Sequence, residues 1–156
     1  MSLKQILTVI PILGESSVPV LLRGAPGVGK CEIAVKIHQS GSRRPGPFIT
    51  LNCIPGEATA LDLELFGNEK SIAKGGYPGR LSRANGGTLY LNEVGNLPLK
   101  TQSRLLQSLM EKRFFESQEG HPIPLDVRLI AGSHKDLETE VEMGHVREDF
   151  YYYLHR

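Results

Sequence analysis

Cysteine is scarce in this sequence. Cys31 and Cys53 are the only two among 156 residues, and they form no CxxC pair or Cys/His cluster. That excludes a disulfide framework and a structural zinc site, and it suits a reducing, cytoplasmic setting. An excess of charge is missing too. Eighteen Lys+Arg against 17 Asp+Glu leave a net charge of +1, which offers no basic field for gripping a nucleic-acid backbone over a wide surface. Nor does any apolar run approach the roughly 20 residues that span a bilayer, so no membrane partner is expected. The nearest approach, Ile6 to Leu13 behind Lys4, is followed by no small-x-small cleavage site and reads as a first helix packed on the domain. Hydrophobic residues at 40% and charged residues at 22% exclude a disordered tail or a fibre. The length suits a single domain, residues 1–156.

What is present alternates between apolar runs and helical patterns. Val18–Leu22 reads as a buried strand, Lys30–Gln39 as a helix with Ile33, Ala34 and Ile37 on one face, and Phe48–Leu51 as a second strand. Ala58–Phe66 reads as a helix and Gly67–Gly79, rich in glycine, as an exposed loop. Gly87–Asn92 is a third strand. After Pro98, Leu105, Leu106, Leu109 and Met110 form an apolar helical stripe. Phe114–Leu125 reads as a hairpin insert, Val127–Ala131 as a fourth strand, and helical patterns start from Asp136 and Val146. Strands separated by helices imply βαβ units, hence an α/β fold with a mainly parallel sheet flanked by helices on both faces. The chain stops in a helical pattern at Tyr151–Arg156 without glycine cap or proline stop, so a fragment of something larger is expected.

The sharpest local signal is Gly24-Ala25-Pro26-Gly27-Val28-Gly29-Lys30, a G-x-x-x-x-G-K segment between a strand and a helix. Its glycines let successive N–H groups turn inward on phosphate oxygens, the helix N-terminus adds partial positive charge, and Lys30 reaches the β- and γ-phosphates. The next position ordinarily carries a hydroxyl for Mg²⁺ but here holds Cys31, a soft ligand for a hard ion. Cys31 reads as a small residue filling a tight corner, or as a reactive thiol activated by the helix N-terminus. At the end of the third strand stand Asn92 and Glu93. An Asp followed by Glu there would steady Mg²⁺ and polarise a water. Glu93 can serve the second role, but neutral Asn92 supplies no charge to the metal.

With these segments in order, the chain resembles the AAA+ domain of bacterial enhancer-binding proteins, the activators of sigma-54 RNA polymerase. The resemblance runs from about Val18 to Leu154. It rests on Gly24–Lys30, Pro47–Cys53, Glu64-Leu65-Phe66-Gly67, Gly86–Glu93, Leu97–Leu99, Gln102–Glu111, Asp126–Ala131 and Arg147–Tyr152. It implies a P-loop NTPase of the AAA+ α/β type that binds ATP with Mg²⁺ and assembles into rings whose sites are completed by the neighbouring subunit. The same resemblance gives Asn52 the task of coupling catalytic Glu93 to the nucleotide state. It places Ser133 and His134 at the sensor position after the fourth strand, and makes Arg147 an arginine reaching the neighbour's γ-phosphate.

Departures from the family pattern accompany the likeness. The family carries Glu at the Cys31 position and Asp at Asn92, and its second arginine is Tyr153 here. The loop Ser71–Arg80 lacks the Phe and Thr of the family's Gly-Ala-Phe-Thr-Gly-Ala segment, which touches sigma-54. The expectation is therefore a degenerate member: an ATP-binding, ring-forming domain of a transcription regulator with weak hydrolysis, an altered sigma-factor contact and a weakened Mg²⁺ site at Asn92 and Cys31. The alternative is a non-hydrolysing interaction scaffold with a relic P-loop. The family's helical lid, its helix-turn-helix and an upstream adenine-holding stretch are expected to lie outside this chain, so no direct DNA contact is expected from it. Phe150 to Tyr153 reads either as a base-stacking platform or, preferably, as packing against that lid.

Overall fold

The structure, a computed structural model, describes residues 14, 16–54, 58–67, 78–114 and 122–155. In chain order the elements are β1 (Val20–Arg23), α1 (Lys30–Gln39), β2 (Phe48–Asn52), α2 (Ala58–Phe66), α3 (Arg80–Arg83), β3 (Thr88–Asn92), a 3₁₀ turn (Val94–Asn96), α4 (Leu99–Glu111), β4 (Arg113–Phe114), β5 (Ile123–Pro124), β6 (Arg128–Ser133), α5 (Leu137–Glu142) and α6 (Glu148–Leu154). The four long strands form one parallel sheet in the order β1-β6-β3-β2, and β4 pairs antiparallel with β5. The expected strands are all found. The first starts at Val20 because Pro19 has no N–H to give a ladder.

Side-chain alternation along β3 explains the layers. Leu89 and Leu91 enter a large core shared with Leu61 and Leu65 of α2, Leu105 of α4 and Phe150 of α6. Tyr90, between them, faces the other way, onto Ala34 and Ile37 of α1 and Ile130 of β6. Helices therefore cover both faces, as the uninterrupted apolar strands require. Leu105, Leu106 and Leu109 are buried as the stripe on α4 demands, but Met110 is 61% exposed and lies off it. Phe150 packs into this domain's own core and is 0% exposed, so its burial needs no lid. Tyr151 and Tyr153 pack beside that core, whereas Tyr152 faces outward. The four-residue α3 went unread because it sits at the end of the glycine-rich stretch. Of that stretch, Gly67 bridges Pro78. Residues 68–77, the expected first helix at Ile6–Leu13 and the hairpin tip at 115–121 lie outside the described residues.

Two glycines before β3 have separate reasons. Gly86 has φ +85°, and a Cβ on Gly87 would fall 2.0 Å from the Pro47 carbonyl oxygen. They let β3 enter the sheet flush against the chain leading into β2. In register, Asn52 lies opposite Asn92, Asn92 opposite Gly132, and Arg23 opposite Ser133. The carboxyl ends of all four strands therefore share one edge, the place where open parallel sheets bind ligands.

Candidate functional site: a phosphate loop over the sheet's carboxyl edge

The loop from Gly24 to Lys30 leaves β1 at that edge and becomes α1. Gly27 and Gly29 hold φ of +85° and +83°, a left-handed conformation that curls the backbone without a Cβ penalty. The Gly24 N–H donates to the Ser133 carbonyl at 3.1 Å, which fastens the loop to the end of β6. From below, Arg23 makes a two-pronged ion pair with Glu138 of α5, at 2.9 and 3.2 Å. Glu138 also accepts from the Tyr151 hydroxyl, and Arg23 holds the Glu138 carboxyl well below its ordinary range.

Lys30 is 7% exposed, and its Nζ donates to the carbonyls of Gly24 (2.7 Å) and Ala25 (3.0 Å). The ammonium is thus held over the loop mouth. Beyond it opens a cleft of about 520 Å³. Pro26, Gly27, Gly29, Lys30 and Cys31 line one wall, and Asn52, Asn92, Glu93 and His134 the other. Gly24, Ala25 and Val28 belong to the loop without lining that cleft.

The far wall differs from expectation in its pairings. Asn92 donates from Nδ2 to Asn52 Oδ1 at 3.0 Å, and Tyr90 donates to Asn92 Oδ1 at 3.4 Å. Burial, then Cys31, Glu93 and Cys53, push the Tyr90 hydroxyl up to about 12, so it stays a donor at neutral pH. Glu93 adopts φ 56° at the head of the 3₁₀ turn, a left-handed conformation uncommon for a residue with a Cβ. Its Oε2 accepts from His134 Nδ1 and, at 3.4 Å, from the His134 backbone N–H. Ser133 is 1% exposed and spends its hydroxyl on Lys135, donating to the carbonyl at 3.0 Å and accepting from the N–H at 3.1 Å. Its side chain does not line the cleft.

The donor set suits Mg²⁺ poorly. Cys31 presents sulfur, Asn92 is neutral and engaged at both ends of its amide, and Glu93 is already held by His134. Among the described residues no group of three or more His, Cys, Asp or Glu could hold a metal ion. Cys53 is sealed below the site, its thiol pushed up to about 12 by burial and then by Glu93 and Glu64, while Cys31 is exposed.

Arg147 stands apart from the cleft. It caps α6, is exposed, and chelates Asp149 through Nε (3.0 Å) and NH2 (3.1 Å), which raises its already high pKa. Sequence reasoning passed over the residue that sets its backbone. Buried Gln102 accepts from the Arg147 N–H at 2.8 Å and donates to the carbonyls of Leu97 (2.8 Å) and His145 (3.0 Å). The only local signal was a polar residue one turn before the leucines on a helix face that buries.

Fold and site together define a P-loop NTPase domain: a parallel sheet, a glycine-rich loop between β1 and α1 with its lysine over the mouth, and polar strand ends facing it. The profile of the sigma-54 interaction domain matches residues 1–156, and the chain belongs to that family. It is 39% identical over 156 residues to the DNA-binding transcriptional regulator NtrC of Proteus hauseri, covering 98% of this chain and 33% of that protein. It is 41% identical over 154 residues to the Nif-specific regulatory protein of Rhizobium leguminosarum bv. trifolii, covering 97% of this chain and 44% of that protein. The chain thus spans less than half of these curated relatives. Among solved structures, NtrX from Brucella abortus in complex with ATP superimposes with a TM-score of 0.86 at 32% identity, over 99% of this chain and 36% of that one. The P-loop NTPase domain of a sigma-54 activator from E. coli gives 0.63 at 26% identity, over 96% of this chain and 94% of that one.

Proposed function

We propose that this chain is the ATP-binding AAA+ α/β module of a bacterial sigma-54-type transcription regulator, a single nucleotide-binding unit that assembles into a cytoplasmic ring and hydrolyses ATP weakly. The observation that carries this reading is Lys30, held over the loop mouth and facing Asn52, Asn92 and Glu93 across one cleft. Loop N–H groups and Lys30 take the β- and γ-phosphates. Glu93 accepts the proton of a water whose oxygen bonds to the γ-phosphorus as the bond to ADP breaks. Asn52 relays nucleotide state, and Ser133 acts through the bond its carbonyl accepts from Gly24. Arg147, exposed and outside its own cleft, would leave Asp149 to serve a neighbour's γ-phosphate. The ring, the sigma factor as partner and Mg²⁺ as companion of ATP rest on family membership and on relatives longer than this chain.

The Asn52–Asn92 hydrogen bond favours one second reading, a non-hydrolysing scaffold, since it puts an amide pair where a metal carboxylate would stand. The separating experiment titrates ATP with and without Mg²⁺ while following thermal stability, because a ligand that binds only the folded state raises its melting temperature. Binding strengthened by Mg²⁺ supports the ATPase; equal binding without it supports a nucleotide-sensing module that does not hydrolyse; no binding overturns the ATP-binding reading and supports the scaffold with its relic loop. Asn92→Asp is expected to add Mg²⁺ dependence and turnover, with Asn52 turning its amide to donate. A unit charge about 4 Å from a divalent ion is worth roughly 8 kcal/mol at an effective dielectric of 20, and a quarter of that after screening is about thirtyfold. Unchanged Mg²⁺ dependence would mean that metal handling is not what limits the site.

A cheaper check uses the thiols. At pH 8 a disulfide reagent should label Cys31 and spare Cys53, which reacts only on unfolding. Saturating ATP should slow Cys31 labelling about tenfold or more by covering the cleft it lines. Equal rates with and without ATP would move the nucleotide elsewhere.

A further inference from the structure

His134, at the sensor position after β6, contacts the group proposed as the base. Among the described residues, both hydrogen bonds to the Glu93 carboxylate come from His134, one from Nδ1 and one from the backbone N–H. Both land on the same oxygen, Oε2. Asn52, the residue expected to partner Glu93, is bonded to Asn92 instead. The carboxylate is thereby drawn toward the end of β6.

Two hydrogen bonds to one oxygen fix the direction of the carboxylate, and a general base must be within hydrogen-bond reach of its water. The His134 side chain is 40% exposed against 18% for Glu93, so the imidazole can leave without opening the core.

We infer that His134 is a positioning residue that restrains Glu93, holding its carboxylate against the end of β6 and away from the attacking water. The inference rests on the proposed reading that the cleft takes ATP and that Glu93 is its base. The restraint belongs to this chain's own arrangement: Asn52 and Asn92 satisfy one another, and the histidine takes the freed carboxylate.

The test compares wild type, His134→Ala and His134→Asn in the intact protein, measuring ATP affinity by titration and steady-state hydrolysis. His134→Ala should raise kcat about tenfold, the scale set by losing one charge-assisted hydrogen bond, with KM unchanged. His134→Asn, whose Nδ2 can occupy the place of Nδ1, should return kcat toward wild type. Adding Glu93→Gln to His134→Ala should abolish the gain, showing that it runs through the carboxylate. Equal or lower kcat in His134→Ala with ATP affinity intact would overturn the restraint and leave ATP binding standing. Absence of ATP binding by wild type would overturn the underlying reading, and the restraint with it.

Discussion

Lys30→Ala is expected to weaken ATP binding about 150-fold while the melting temperature stays within a few degrees of wild type. The first part follows from the geometry of the loop. Lys30 is 7% exposed and two backbone carbonyls, 2.7 and 3.0 Å away, hold its ammonium at the mouth. Charge-assisted bonds to phosphate contribute about 1.5–3 kcal/mol each, so losing about 3 kcal/mol in all corresponds to that factor. The second part follows from position: Lys30 lines an open cleft, so water can take the place of its ammonium on the two carbonyls it leaves. Isothermal titration paired with a melting curve checks both. Affinity within threefold of wild type would place the nucleotide away from this loop.

Phe150→Ala should be strongly destabilising although it lies outside the cleft. Phe150 is 0% exposed and joins α6 to the cluster containing Leu105, Leu137 and Val146. Removing a buried phenyl costs about 3–5 kcal/mol in lost transfer energy and cavity, roughly 10 °C in melting temperature for a domain this size. Tyr152→Ala, two residues on and 63% exposed, is expected to change stability by less than about 0.5 kcal/mol. Chemical denaturation of the pair checks the contrast. Equal midpoints would show that α6 is not anchored through Phe150. The same helix carries Arg147 at its head, so its docking bears directly on whether that arginine can serve a neighbour.

Both predictions stand on features of unequal visibility. The phosphate loop was legible because its geometry is local: positive φ at Gly27 and Gly29 and a lysine at the first turn of α1 follow from adjacent residues. The four sheet strands were legible because each carries a short apolar run, and the two central ones, β3 and β6, are buried along nearly their whole length. Met110 was misplaced because a stripe at helical spacing shows which residues could face the core, while the neighbours decide where the face ends. Phe150 was assigned to the right kind of environment and the wrong partner, since an aromatic side chain at a helix surface does not state what covers it. Gln102 looked like an ordinary polar helix residue until Arg147, far along the chain, gave it an N–H to accept.

By itself, then, the order of residues determined the P-loop, the α/β alternation, the family and the identity of the groups available to the cleft. Each of these depends on contacts a few residues apart or on a pattern repeated along one element. Only the tertiary structure decided who pairs with whom. The strand order β1-β6-β3-β2 brings the ends of β2 and β3 side by side and lays β6 against β3. That is why Asn52 meets Asn92 and Glu93 meets His134. These partners are some forty residues apart in sequence, where chain proximity exerts no pull. Parallel registry, set by burying Leu89, Leu91 and Tyr90 on opposite faces, brings them within hydrogen-bonding distance.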